Sequence, residues 1–432
     1  MFVANHPLYA TVQALRTGRQ DLRSYLDQAC DRLEQVDPQV QAFLPEPGRQ
    51  DRLQREGQAL AARHPEPSQR PPLYAGLVGV KDIFHVDGFP TRAGSQLPPE
   101  LLTGPEAAAV TRLREAGALI LGKTVTTEFA YFHPGPTRNP HNLAHTPGGS
   151  SSGSAAGVAA GLVPLALGTQ TIGSIIRPAA FCGIVGFKPS YDRIPTAGLL
   201  YLSPSMDHVG LFTQDVAGMQ LAASLLCTGW QEPSPPSGLP ILAVPEGPYL
   251  AQATEEGLAA FQEQLAHLAA QGVTLQRIPV MAAIQEVNQR HRRIVAGEAA
   301  RVHGAWFAAH GHRYSRHMQA LIQEGMQVTD EQLARDREAS LAFRQELQAI
   351  MEREGIDLWV APSATGPAPR GIQSTGDPIM NLPWTHAGLP VVGLPAGRAA
   401  NGLPLGLQLV GRFGQDEQVL AWAAQLAPLL AG

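Results

Sequence analysis

Apolar positions in this chain follow two periods, and the switches between them mark the elements. Val12, Leu15, Leu22, Leu26 and Leu33 recur at helical spacing, which predicts a helix over residues 8–35. A polar, proline-rich stretch from Arg63 to Pro72 reads as a surface loop. The apolar run from Gly76 to Phe84 then reads as a buried strand, Pro105 to Ala116 as a helix, and Ala118 to Lys123 as the next strand. The most apolar run, Ala155 to Leu167, contains Gly157, Gly161 and Pro164 and is too short to span a membrane. It reads as a core helix followed by a core strand. This β–α–β alternation predicts a parallel sheet with right-handed crossovers.

Beyond a second Pro/Ser loop, Gln231 to Leu239, the alternation resumes with a strand at Ile241 to Pro245. Thr254 is placed to cap a helix with Glu255 and Glu256 in its first turn, a stripe of Leu258, Phe261, Leu265 and Leu268, and a stop at Gly272. Val273 to Pro279 is the returning strand, and Ile356 to Pro362 another. Residues 281–312 and 328–354 read as long helices whose Arg and His residues form a solvated face. Asn401-Gly402, followed by alternating Leu403, Leu405, Leu407 and Leu409, predicts a C-terminal β-hairpin. No internal repeat is visible.

Composition narrows the function classes. Hydrophobic residues make up 44% of 432 residues and charged residues 16%, enough for a large core and unlike a disordered chain. A net charge of −5 argues against a nucleic-acid partner or an anionic membrane surface. Cys30, Cys182 and Cys227 are odd in number and form no C-x-x-C pair, which reads as a reducing compartment without disulfides or a zinc knuckle. MFVANHPLYATVQALR has no signal-peptide pattern, so a cytoplasmic protein is expected. Of the 32 Lys+Arg residues only Lys81, Lys123 and Lys188 are lysine, leaving 29 arginines (32 − 3). Guanidinium stays protonated in proteins, whereas a buried ammonium can become neutral. A retained lysine is therefore a candidate proton carrier.

The lysine window also holds GGSSSGSAAG, Gly148 to Gly157. A serine hydroxyl is a poor nucleophile until a base takes its proton, and glycine-dense loops expose N–H groups to an anion. Acyl transfer needs both. Three readings are open. A histidine could complete a Ser-His-Asp triad around Ser151, the centre of a G-x-S-x-G match at Gly149–Gly153. A phosphate loop is conceivable, but no Gly-Lys-Ser/Thr closes the glycines. Lys81, ending an apolar strand, could act as a neutral base.

The segment Gly148 to Ser190 resembles the signature of the amidase signature enzymes, which use a Ser-Ser-Lys triad. The likeness continues in GVKDIFHVDGFPTRAGS, LGKTVTTEFA, TRNPHNLAHTPGGSS, GDPIMNLPWTHAGLPVVGLPAG and NGLPLGLQLVGRFGQDEQVL. It covers roughly residues 70–225 and 355–425 strongly and the middle weakly. The resemblance implies a three-layer α/β/α sandwich around a large, mostly parallel mixed sheet. It implies one domain over 1–432, with a variable middle at 240–350 and an N-terminal helical segment at 1–60. It also implies Ser174 as nucleophile, Ser150 as bridging serine after a cis Gly149–Ser150 peptide, and Lys81 as base. The N–H groups of Thr171, Ile172, Gly173 and Ser174 fall at the oxyanion hole, and Ser151 at a supporting position. Lys123 and Lys188 match family positions but read as structural, paired with carboxylates or carbonyls; Cys182 reads as a small packed residue, and Asp207 and His208 as a satisfied core pair.

The chain departs from many members of the family in having Gln170 for Asp and Ile172 for Gly, and in placing Arg177 three residues after the nucleophile rather than two. This pattern is similar to the malonamidase-type branch. It makes Arg177, with Gln170, the candidate substrate-binding residues: Arg177 either grips a substrate carboxylate or pairs with a core carboxylate. The function implied is hydrolysis of a carboxamide C–N bond in a small, carboxylate-bearing amide through an acyl-serine, without cofactor or metal, with a homodimer left open. Two rivals stand beside it, an amide-hydrolysing subunit of a tRNA-dependent amidotransferase and an inactive binding protein on the same fold. Residues 240–350 are expected to supply much of the pocket.

Overall fold

The computed structural model describes residues 2–233, 236 and 238–430. Ser234, Pro235 and Ser237 of the predicted Pro/Ser loop lie outside the described residues. Ten strands build one sheet: β1 (Leu77–Lys81), β2 (Leu119–Thr124), β3 (Leu165–Gln170), β4 (Val185–Lys188), β5 (His208–Thr213), β6 (Leu242–Glu246), β7 (Leu275–Pro279), β8 (Leu358–Pro362), β9 (Val391–Arg398) and β10 (Pro404–Val410). Their order across the sheet is β2-β1-β3-β5-β4-β9-β10-β8-β6-β7.

The expected parallel pairings occupy the two ends of the sheet, β2-β1-β3 and β8-β6-β7. The pairings between them are antiparallel. The difference follows from the connections. Helical crossovers return a strand parallel, whereas the short turn after Arg398 joins β9 and β10 as the predicted hairpin.

Strand side chains alternate between two apolar cores. Val78 and Val80 of β1, Leu165 and Leu167 of β3, and Leu358 and Val360 of β8 enter one core. Leu77, Ala166, Trp359 and Ala361 enter the other. Helices cover both faces, giving the α/β/α sandwich. Near-continuous apolar strands are what a sheet buried on both faces requires.

Two local readings change. Residues 8–35 form two helices, Leu8–Arg16 and Leu22–Val40, because the Asp21 side chain accepts from Ser24 N at 2.9 Å and starts a new helix. The Arg-rich helices Ile284–His310 and Asp330–Arg353 do more than face solvent. Arg293 pairs with Asp336 at 2.8 Å, and Arg337 pairs with the buried Glu298, which also accepts from Ser203 Oγ at 2.7 Å and Ser205 N at 2.9 Å. The apolar stripe explains the outward arginines but not this carboxylate, which ties the helix to the loop before β5. Thr254 caps the Glu255–Ala270 helix through Gly257 N, as its sequence predicts.

The serine-rich run becomes the helix Ser152–Ala159, buried on every side. Its small residues allow this. A Cβ at Gly153 would overlap Ala42 O and Val125 N, so backbone approaches backbone there. Among the described residues, no helix is long and apolar enough to cross a membrane.

Candidate active site

The candidate residues gather where several strands end on one side of the sheet. Lys81 is the last residue of β1 and Gln170 the last of β3, and antiparallel β5 begins opposite it, His208 in register with Gln170. Ligand sites in α/β sheets form at such carboxyl ends.

Lys81 is fully buried. Its Nζ lies 2.7 Å from Ser150 Oγ and 2.8 Å from Thr169 Oγ1. Burial pushes its pKa well below the ordinary lysine value, while the charge of Asp207 opposes the shift. Asp207 is itself buried. Its carboxylate accepts from Thr171 Oγ1 at 2.5 Å, Leu202 N at 2.9 Å and Ser203 N at 3.0 Å. Burial pushes its pKa up to about 6 against those hydrogen bonds.

Ser150 follows a cis Gly149–Ser150 peptide. The Gly149 carbonyl accepts from Arg177 Nη2 at 2.6 Å, and the Ser150 carbonyl from Thr127 N at 3.2 Å. Ser151 is turned the other way. Its Oγ donates to Thr169 O at 3.2 Å and accepts from Thr169 N at 3.3 Å, so it holds β3 and is shut off from the cleft. That geometry gives no support to a nucleophile elbow at Ser151.

Ser150 and Ser174 open onto the same narrow cleft, walled by Ala130–Phe132, Leu202, Thr375 and Pro378. None of these walls comes from residues 240–350, so the expectation that this segment supplies much of the pocket is corrected. Its helices pack behind the site. A larger hollow of about 560 Å³ between Leu33 and Pro136 contains none of Lys81, Ser150 and Ser174; chemistry rather than size identifies the site.

Residues 171–174 form a turn between β3 and the helix Ile176–Cys182. Within the described residues, the N–H groups of Thr171, Ile172, Gly173 and Ser174 donate to no protein acceptor. Four free donors beside a serine are what a developing oxyanion needs. Gln170 supports the turn from inside. Its Oε1 accepts from Ile175 N at 2.8 Å and Ile176 N at 3.0 Å, and its Nε2 donates to Thr385 Oγ1 at 2.9 Å. The side chain is fully buried, with both polar atoms engaged in these bonds.

Arg177 lies on the cleft wall but is buried. Its Nη1 donates to the carbonyls of Thr375, at 2.5 Å, and Gly376, and its Nη2 to Gly149. The guanidinium hydrogen-bonds no carboxylate among the described residues, so the pairing with a core carboxylate is not found; its two Nη atoms serve backbone carbonyls, and Nε has no partner there. Burial pulls its pKa down to about 10, with Asp377 opposing.

The remaining lysines hold structure together. Lys123 pairs with Asp82 at 2.9 Å and donates to Phe84 O at 2.7 Å. Lys188 donates to Leu389 O at 2.6 Å. Cys182 is buried, its Sγ on Pro147 O. Asp207, just before β5, and His208, its first residue, do not bond each other: the Asp207 carboxylate accepts from Thr171, Leu202 and Ser203, and His208 Nδ1 meets Met206 O at 2.7 Å. Thr169 and Asp207, both in the Lys81 environment, had no distinguishing signal in the sequence beyond lying near strand ends. No group of three or more His, Cys, Asp or Glu is placed to hold a metal among the described residues.

Comparison with known proteins agrees with this arrangement. Residues 24–420 match the family profile described as Amidase. The A subunit of glutamyl-tRNA(Gln) amidotransferase from Synechococcus sp. (strain RCC307) is 30% identical, covering 96% of this chain and 95% of that one. Its counterpart from Thermus thermophilus is 33% identical, covering 90% of each. A solved structure described as an amidase superposes with a TM-score of 0.89 at 32% identity, covering 98% of this chain and all of the other. Motifs, sheet and family match converge on one assignment: this chain belongs to the amidase family of amide-cleaving hydrolases.

Proposed function

We propose that this hydrolase cleaves a carboxamide C–N bond with Ser174 as nucleophile, Ser150 as proton relay and Lys81 as base. Neutral Lys81 accepts the Ser150 proton as Ser150 takes the proton of Ser174. Ser174 Oγ bonds to the amide carbon, and the carbonyl oxygen gains negative charge facing the N–H groups of residues 171–174. The relay returns the proton to the leaving nitrogen, the C–N bond breaks and an acyl-serine remains. Water attacks it by the same relay and releases the carboxylate. The observation that carries this reading is the fully buried Lys81, its pKa lowered by burial, at 2.7 Å from Ser150.

Arg177 Nε, which has no partner among the described residues, is the guanidinium donor left for a carboxylate on the substrate; Nη1 and Nη2 are held by the carbonyls of Thr375, Gly376 and Gly149. The near full-length match to one component of an amidotransferase favours a second reading, in which the same chemistry releases ammonia inside a complex.

A fluorophosphonate probe with intact-mass readout tests the first reading. One adduct is expected on Ser174, none on Ser174→Ala, and a retained adduct on Ser151→Ala. Labelling that survives Ser174→Ala refutes the assignment. Amide turnover by the purified chain alone separates the autonomous hydrolase from the complex component, which would need its partner.

A further inference from the structure

The turn that carries the four free N–H groups is gripped from behind by two side chains remote in sequence. His291 Nε2 lies 3.0 Å from Thr171 O, and Thr385 Oγ1 donates to Ile172 O at 2.7 Å. Both residues are buried. A carbonyl can only accept, so the His291 proton sits on Nε2. Burial, offset in part by this bond, lowers the His291 pKa to about 4, keeping the ring a neutral donor. Its other nitrogen, Nδ1, has no partner among the described residues, and the ring stands edge-on to His386 at 5.5 Å. Within those residues the bond to Thr171 O is therefore the imidazole's single hydrogen bond.

Peptide planarity converts these two contacts into orientation. In a trans peptide the carbonyl of one residue and the N–H of the next point in opposite directions. Fixing Thr171 O fixes the direction of the Ile172 N–H, and fixing Ile172 O fixes that of the Gly173 N–H. We propose that His291 and Thr385 are positioning residues of the oxyanion turn: by holding the Thr171 and Ile172 carbonyls on the inner side, they aim the Ile172 and Gly173 N–H groups into the cleft beside Ser174. This rests on the amidohydrolase reading above. It also gives the helix Ile284–His310 a role, although that helix contributes no wall to the cleft. Gln170 completes the brace through its bond to Thr385.

The test separates aiming from general packing. Thr385→Val keeps the volume and removes the donor; Thr385→Ser restores it. His291→Leu removes the other donor, and His291→Gln offers an amide N–H in its place. Each variant is titrated with the fluorophosphonate, and kinact and KI are resolved. Thr385→Val and His291→Leu should lower kinact roughly ten- to a hundredfold, less than deleting an oxyanion donor outright, with KI unchanged. Thr385→Ser and His291→Gln should return to within about threefold of wild type, as restored donors should. A wild-type kinact in Thr385→Val overturns the proposal, as does a loss confined to KI. If wild type itself does not label, the amidohydrolase reading falls and takes this inference with it; labelling wild type beside an unaffected Thr385→Val sinks the inference alone.

Discussion

In the turn proposed to face the developing oxyanion, Gly173 has no room for a single added atom. A Cβ placed there would overlap Asn381 Oδ1, stand 2.8 Å from Pro378 Cβ and 3.1 Å from Asn381 Cβ. Asn381 cannot swing away cheaply. It is fully buried, and its Nδ2 donates to Ser363 O at 2.9 Å and Gln408 Oε1 at 3.1 Å. In Gly173→Ala the turn must therefore move. Overpacking of this kind costs about 1–3 kcal/mol. For 432 residues the unfolding entropy is about 0.9 kcal/mol/K, so the melting temperature should fall by only about 1–3 °C. Catalysis should suffer more, because misplacing a reacting group by about 1 Å can cost roughly a hundredfold. Phosphonylation of Ser174 should thus slow about ten- to a hundredfold in a variant that remains folded. Gly173→Ala/Asn381→Ala should recover part of the rate, since the two substitutions share one contact. A Gly173→Ala enzyme that labels at the wild-type rate would show that the turn does not bind the developing oxyanion.

Further outcomes follow from the charges around Lys81, the proposed base. Lys81→Met should lose about two to four orders of magnitude in acylation rate, the usual worth of a general base; in wild type the rate should climb with pH as the buried ammonium loses its proton. The same substitution should raise thermal stability. The Lys81 pKa is lower in the folded chain than in the unfolded one, so the unfolded chain holds the extra proton between those two values and wild-type stability rises with pH across that window. Melting curves should show the advantage of Lys81→Met at neutral pH closing as pH approaches 10.5, the ordinary lysine value; a gap independent of pH would contradict a neutral buried Lys81. Asp207→Asn removes the charge that favours protonated Lys81, so the acid limb of the pH–rate profile should move to lower pH. An unmoved limb would mean that Asp207 serves only to hold Thr171, Leu202 and Ser203.

What the sequence disclosed was local. Strands read correctly where apolar runs were continuous, and short contiguous motifs nominated Lys81, Ser150 and Ser174, which the fold brings together around one cleft. The antiparallel middle of the sheet was not legible, since placing β5 between β3 and β4 depends on contacts distant in the chain. The break between Arg16 and Leu22 was hidden because the apolar spacing continues across it. Gln170 and Arg177 stand out in the sequence by their position near Ser174, but the bonds that hold them to Thr385, Thr375 and Gly376 span about 200 residues. His291 and Glu298 looked like any other polar residues of a basic helix. Only burial distinguishes them, and periodicity does not report which polar residue turns inward.

The arginine bias has a consequence at the surface. Lys81, Lys123 and Lys188 are all buried. The native protein therefore offers no lysine side chain to acylating dyes, biotin esters or amine cross-linkers, although its exterior is rich in guanidinium. Those reagents would leave the folded chain unmodified at every lysine and reach the three ammonium groups only as the chain opens. Lysine modification becomes a direct report of unfolding, and the first lysine to react would identify the part of the sheet that gives way first.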